Sequence, residues 1–154
     1  SHYDALIMPI IQENMGEAWL EKRVRQVNEF EALLTDSGAT VLKIFLNISR
    51  EEQESRLIER WESPYKRWKL NADDLKATED YSLYANAYEK VLEKTCTSHA
   101  PWWIIPGDHK GFRNMITAEI LVGTLERMGL AWPSADPEVV KSEFWKKSKA
   151  PKST

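Results

Sequence analysis

The chain has a single cysteine, Cys96, with six glycines and three histidines among 154 residues, and each scarcity closes a class of chemistry. A lone cysteine cannot build an internal disulfide framework. That fits a reducing compartment and gives the expectation of a cytoplasmic protein. The glycines fall into neither G-x-x-x-x-G-K-[ST] nor G-x-G-x-x-G, so no stand-alone phosphate cradle is present. His2, His99 and His109 have no metal-ligand spacing and no cysteine cluster, which leaves no metal site to propose from these residues. Motifs for a serine or cysteine nucleophile are missing too. No apolar run approaches the roughly 20 residues of a membrane span, and the opening "SHYDALIMPI" lacks the charged head and long apolar core of a signal peptide.

Charge of one sign is not in excess either: 21 Lys and Arg stand against 24 Asp and Glu, a net charge of −3. Proteins dedicated to nucleic acids or membrane surfaces usually carry a broad positive field, so neither is an expected partner. Any anion site must be local, and one stretch qualifies. "RLIERWESPYKRWK", residues 56–69, places five basic side chains and two tryptophans in fourteen positions.

The length suits one globular domain with a sizeable core. "MGEAWLEKRVRQVNEFEALLTDSG" puts Leu20, Val24, Val27, Phe30 and Leu34 at helical spacing before Gly38, which predicts an amphipathic helix with a glycine stop. "TVLKIFLNI" is nearly all apolar and rich in branched residues, as a strand buried on both faces would be. Ser49 and Glu52 form a capping box for the next helix, and Pro64 interrupts it inside the basic stretch. Beyond a polar "NADDLKATEDY", "YSLYANAYEKVLEKT" reads as helix, "PWWIIPGD" as a second short strand, and "KGFRNMITAEILVGTLERMG" as a helix closed by Gly129. Strands alternating with helices imply a parallel sheet with helical crossovers, an α/β domain. Two strands cannot cover each other's faces. Either the helices do most of the packing, or part of the sheet lies outside this chain.

Within the basic stretch, Arg56 and Arg60 are four residues apart on one helix face, a spacing that repels by a few tenths of a kcal/mol unless an anion sits between them. Guanidinium groups offer planar, bidentate donors suited to phosphate oxygens, and Lys66 and Lys69 would add point charges beyond the proline. The plainer alternative is a solvated face partly neutralised by Glu59 and Glu62. Trp61 and Trp68 could stack a nucleobase, or pack the helix against a neighbour. Of acid pairs such as Glu51-Glu52 and Asp73-Asp74, the first lies at a helix start, where carboxylates complement the macrodipole, and capping or solvation is the role expected of both.

"FLNISREEQESRLIERWESPYKRWKLNADDL", followed by "AYEKVLEKTCTSHAPWWIIPGDHKGFRN", resembles the second family of polyphosphate kinases. The likeness runs from Ser1 to about Pro133 and includes the "SHY" that in the family follows an Asp-Arg pair closing the Walker B motif, and the "PW..IP.D.K" strand-to-helix turn. It implies an α/β, P-loop kinase-like three-layer fold with parallel strands, of which this chain is the C-terminal portion, with a helical lid at about residues 55–74 and a Lys-rich tail at 134–154. It also implies phosphoryl transfer between inorganic polyphosphate and nucleoside mono- or diphosphates, with magnesium held mostly by residues outside the chain. Carried over, Arg60 is the catalytic lid residue, Arg56, Lys66 and Lys69 are phosphate-binding, and Ser1 and Tyr3 are remnants of the Walker B end. The expected partners are polyphosphate, a nucleotide, and either further copies of the chain or an N-terminal half. Two alternatives stay open because the Walker A loop is absent: a non-catalytic polyphosphate- or nucleotide-binding module, and a structural pseudo-domain.

Overall fold

The structure is a computed structural model and describes residues 2–13, 15–142 and 144. The opening residues form helix α1 (Asp4–Gln12) in spite of Pro9 within it. Helix α2 (Glu17–Asp36) follows. Its stop is the expected one: Gly38 takes φ +90°, and Ala39 N–H reaches back to the Leu34 carbonyl at 3.0 Å, satisfying a helix-end acceptor that would otherwise be orphaned.

The apolar stripe of α2 departs from the expectation in one place. Leu20 and Val24 are buried and Val27 packs against the core, but the next residue on that stripe, after steps of four, three and four, is Glu31, which is fully buried. Phe30, expected inside, is 49% exposed and meets the His2 ring edge-on at 6.0 Å between centroids.

Strand β1 (Lys43–Asn47) pairs in parallel with β2 (Trp102–Pro106), in register from Lys43 opposite Trp102 to Asn47 opposite Pro106. Between them run α3 (Arg50–Glu62), a one-turn 3-10 helix at Arg67–Lys69, α4 (Ala72–Glu79) and α5 (Tyr81–Thr95). Helix α6 (Lys110–Arg127) follows β2, and α7 (Pro137–Lys141) comes last. Strand β1 is not buried on both faces. Lys43 is buried, whereas Leu46 and Asn47 at the other end are exposed.

Among the described residues the sheet has these two strands, and helices supply the core. Tyr3, Leu6 and Ile7, Leu20 and Val24 of α2, and Ala87 and Val91 of α5 form one buried cluster. The polar segment before α5 is itself helical, because Asn71 accepts from Asp74 N–H while the Asp74 carboxylate accepts from Asn71 N–H, a reciprocal cap. The pair Asp73-Asp74 therefore marks a helix start inside a stretch whose sequence reads only as polar.

The chain divides into two compact units, residues 1–118 and 119–154. Within the second, Thr124 Oγ1 donates to the Ile120 carbonyl at 2.7 Å and receives Arg127 Nη2 at 3.1 Å, Gly129 takes φ +59°, and Asp136 caps α7 by accepting from Glu138 N–H at 2.8 Å. Among the described residues no helix is long and apolar enough to cross a membrane.

Candidate phosphate-binding site

Parallel strands deliver the helices that follow them to one edge of the sheet, and in open α/β sheets ligands bind outside the carboxyl ends of the strands. Here that edge is where β1 turns into α3 and β2 into α6. The two turns are tied together. Gly107 N–H donates to the Asn47 carbonyl at 2.6 Å, and the Asp108 carboxylate accepts from Ser49 N–H at 2.8 Å. That backbone hydrogen bond is the main reason the Asp108 carboxyl is held below its ordinary range, with a lesser contribution from the Arg56 charge. Gly107 is required by close approach. A Cβ there would lie 2.6 Å from Ile48 Cγ2 and 3.1 Å from the Asn47 oxygen.

Helix α3 begins at this edge with Ser49 accepting from Glu52 N–H, and ends at Glu62, where Ser63 turns extended before Pro64. The four cations singled out in the sequence sit differently along it. Arg56 is built into the scaffold: Nε donates to Glu52 Oε1 at 2.7 Å and Nη2 to the Gly107 carbonyl at 2.7 Å. Arg60, one turn further, has Asp74 Oδ2 at 3.9 Å as its one ion-pair partner among the described residues and a side chain 36% exposed. Lys66 Nζ reaches Glu59 Oε1 at 3.2 Å. Lys69 Nζ lies 5.4 Å from the Trp68 ring centre. The two guanidiniums are thus neighbours on one helix, one engaged in backbone recognition and one facing water with a distant counter-ion.

The tryptophans of this stretch do not pack the helix against a neighbour. Trp61 and Trp68 are 59% and 77% exposed. Arg67 stacks on Trp61 with Cζ 4.5 Å from the ring centre and donates Nε to the Trp61 carbonyl at 2.7 Å, while Trp68 Nε1 donates to the Tyr65 carbonyl at 3.0 Å. They shape the segment after Pro64 by cation–π contact and backbone capping.

One further residue belongs to the site and escaped the reading of the stretch alone. Lys110, the first residue of α6, reaches Glu59 Oε2 at 3.4 Å, so Glu59 holds a different lysine on each carboxylate oxygen. The hydrogen bond from Lys66, then that from Lys110, draws the Glu59 carboxyl below its usual range. The signal for Lys110 lay in the "GDHK" that ends the second strand, 41 residues downstream of the basic stretch (110 − 69).

Tyr3 lies elsewhere, at the other end of β1, and Ser1 is outside the described residues. The Tyr3 hydroxyl donates to Glu31 Oε1. Burial, then that carboxylate, pushes its phenol well above the ordinary range. Glu31 Oε2 takes Lys43 Nζ at 2.8 Å, and the same ammonium donates to the Thr95 carbonyl at 2.5 Å. This is a buried ion pair, away from the edge where β1 turns into α3 and β2 into α6.

Among the described residues no three His, Cys, Asp or Glu side chains converge to hold a metal ion. The nearest carboxylates are spoken for: Asp74 by the α4 cap, Asp108 by Ser49, Glu59 by its lysines. These residues do not fit a magnesium site, and a divalent cation serving phosphoryl transfer would be held by other groups.

With this edge described, comparison with known proteins is informative. The family description Polyphosphate kinase 2 (PPK2) matches residues 1–131. The chain is 38% identical over 136 residues to the AMP/ADP-polyphosphate phosphotransferase of Meiothermus ruber, covering 88% of this chain and 51% of that protein. It is 41% identical over 124 residues to an uncharacterized protein in the chlN 3′ region of Leptolyngbya boryana, covering 80% of this chain and 90% of that one. Among solved structures, polyphosphate kinase 2 from Arthrobacter aurescens TC1 superposes with a TM-score of 0.83 at 35% identity, over 92% of this chain and 53% of that one. The chain thus spans about half the length of the Meiothermus relative and of the Arthrobacter structure. On the family match, which takes in both strands and every residue of this candidate edge, the chain belongs to the polyphosphate kinase 2 family.

Proposed function

We propose that this chain takes part in phosphoryl transfer between inorganic polyphosphate and a nucleoside mono- or diphosphate, supplying the cationic lid and the strands beneath it. In that reaction a terminal phosphate oxygen of the nucleotide attacks the end phosphorus of polyphosphate. The P–O bond to the rest of the chain breaks, and the shortened polyphosphate leaves with the electron pair. Little covalent chemistry is asked of the protein, and catalysis is mostly positioning and neutralisation of charge. Arg60 would meet the transferring group, Lys66 and Lys69 the chain behind it, and Arg56 would hold the edge from which they project as well as contribute charge. Magnesium, the expected metal, would neutralise phosphate oxygens from ligands other than these. Ser1 and Tyr3 would be the end of the Walker B region.

The observation that carries this reading is the exposed cationic run at the carboxyl ends of β1 and β2 in a chain of this family. The sequence holds no glycine-rich phosphate loop, which favours a second reading for the chain by itself: polyphosphate binding without turnover. In our reading the protein works in the cytoplasm and associates, as a homo-oligomer or with a P-loop half, through apolar side chains such as Trp103 and Ile104 that are exposed on β2.

The test is a chimera joining this chain to the part of the Meiothermus ruber protein that it does not match, assayed for polyphosphate-dependent nucleotide phosphorylation. Arg60→Ala is expected to lower turnover at least about tenfold, roughly 1.4 kcal/mol of transition-state stabilisation. The thermal midpoint should hardly move, since an exposed arginine adds little to folding. Unchanged kinetics with an unchanged midpoint would remove Arg60 from the site. An inactive chimera together with binding of polyphosphate by this chain would leave the non-catalytic reading standing.

A further inference from the structure

Resting on that reading, we infer that Glu59 occupies the position of a phosphate group between Lys66 and Lys110, and that polyphosphate displaces it, making Lys110 a binding residue and Glu59 a built-in competitor. The geometry is that of a bridged anion. Lys66 Nζ holds Oε1 at 3.2 Å and Lys110 Nζ holds Oε2 at 3.4 Å, so two ammonium groups address adjacent oxygens of one anionic centre. A phosphoryl group offers the same pair of adjacent oxygens with more charge, and lysine ammoniums serve phosphate as point charges with freely rotating donors.

The three side chains come from three different segments. Glu59 stands on helix α3, Lys66 on the turn after Pro64, and Lys110 on the first turn of α6. Lys110 follows the turn that Gly107, Asp108 and Arg56 fix to the end of β1, so it is presented by scaffold. Lys66 belongs to the segment that would close. A ligand phosphate replacing Glu59 would keep both lysines neutralised while exchanging an internal partner for an external one.

Displacement is cheap because all three side chains are a little over half exposed, at 56%, 55% and 57%. Exposed ion pairs contribute little to folding. A polyphosphate chain that neutralises several cations also gains by releasing its own counterions. The lowered carboxyl of Glu59 means that it is ionised, and competes, at any pH where phosphate is fully charged.

The test uses the 154-residue chain and tripolyphosphate or longer inorganic polyphosphate, titrated at several salt concentrations. Glu59→Gln should tighten binding about three- to fivefold, the worth of one exposed charge contact. Lys110→Ala should weaken binding at low salt and lower the salt slope by a little under one, as expected for one lost phosphate contact. The decisive arm is the double variant: with Lys110 replaced, Glu59→Gln should tighten binding clearly less than in the parent, because Lys66 alone is then left to be freed. Glu62→Gln, which removes the same charge from the same helix, should have a smaller effect than Glu59→Gln. Equal tightening by Glu59→Gln and Glu62→Gln, or tightening by Glu59→Gln undiminished by Lys110→Ala, would show a general charge effect and overturn the inference. A Lys110→Ala variant that binds like the parent would also overturn it. If the unsubstituted chain binds no polyphosphate at low salt, the lid reading fails and the inference with it. If Arg60→Ala weakens binding and Lys110→Ala does not, only the inference fails.

Discussion

Replacing Lys43 by methionine should cost the 1–118 unit about 3–5 kcal/mol, the usual penalty for removing one partner of a buried pair. Lys43 and Glu31 keep only 3% and 1% of their side chains in contact with solvent, with Nζ and Oε2 2.8 Å apart. At an effective dielectric of 20 their attraction is about 6 kcal/mol, and it repays a desolvation cost of several kcal/mol per ion, so the intact pair gains little over an apolar one. The variant loses the repayment and keeps the cost. Glu31 would remain buried with the Tyr3 hydroxyl and, at 3.4 Å, the His2 ring, neither of which carries a fixed positive charge. Trp102 lies over the ammonium at 5.2 Å and donates Nε1 to Thr95 Oγ1, so tryptophan fluorescence should follow the loss. In urea the midpoint should fall by more than about 1 M, given slopes of about 1–3 kcal/mol/M for small proteins. The double variant Glu31→Leu with Lys43→Met should cost clearly less than the two single costs added, since no charge is then left unpaired. A single variant costing under about 1 kcal/mol would mean that the pair is hydrated, and would refute the argument.

Three other outcomes are expected. The raised Tyr3 phenol binds its proton more tightly folded than unfolded. Its contribution is therefore complete below the unfolded value near pH 10 and lost above it, by up to about 1.4 kcal/mol per pH unit; Tyr3→Phe should flatten the alkaline fall in stability measured by urea titration, and an unchanged slope would count against burial. Gly107→Ala should lower the thermal midpoint by the equivalent of about 1–3 kcal/mol, the cost of overpacking, because Ile48 and the Asn47 carbonyl must both give way; a silent substitution would show the turn to be loose. Arg56→Ala should destabilise by about 1–2 kcal/mol, through the Gly107 carbonyl and Glu52 it leaves behind, a larger loss than Arg60→Ala in the same melt; the reverse order would contradict the division of roles between the two arginines.

What the sequence makes legible follows from how local each cause is. Helix ends depend on a few neighbouring residues, and so the Gly38 and Gly129 stops, the break before Pro64 and the Ser49 half of the capping box are readable and present, whereas Ser49 N–H goes to Asp108 and the Glu52 carboxylate takes Arg56 instead of closing the box. The parallel pairing of β1 and β2 is readable from the order of elements. Helix α1 is not, because its apolar stretch is short, contains Pro9, and is stabilised by packing Leu6 and Ile7 on α2 and α5 rather than by its own pattern. Glu31 is illegible for a related reason. An acid on an apolar stripe is excluded by any rule of pattern until the lysine in "TVLKIFLNI" is recognised as a cation that cannot be buried alone. For the phosphate edge, the cations of residues 56–69 were evident, but the difference between Arg56 and Arg60 depends on a backbone carbonyl 51 residues downstream, which no local spacing records.

Glu31 and Glu59 show how one arrangement serves two ends of the same strand. Each is a helical carboxylate whose two oxygens take separate donors, Tyr3 and Lys43 in one case, Lys66 and Lys110 in the other. What separates them is solvent. Glu31 is sealed, so exchanging it for an external anion would strand Lys43 in the core, and the pair can only be structural. Glu59 is more than half exposed, water competes for its lysines at every moment, and its contribution to folding is small. A cation that is cheap to release from an internal partner is a cation available to a ligand. Of the two carboxylates, only the one at the carboxyl end of β1 can give way to phosphate, and that is the end to which α3 and α6 bring their charges.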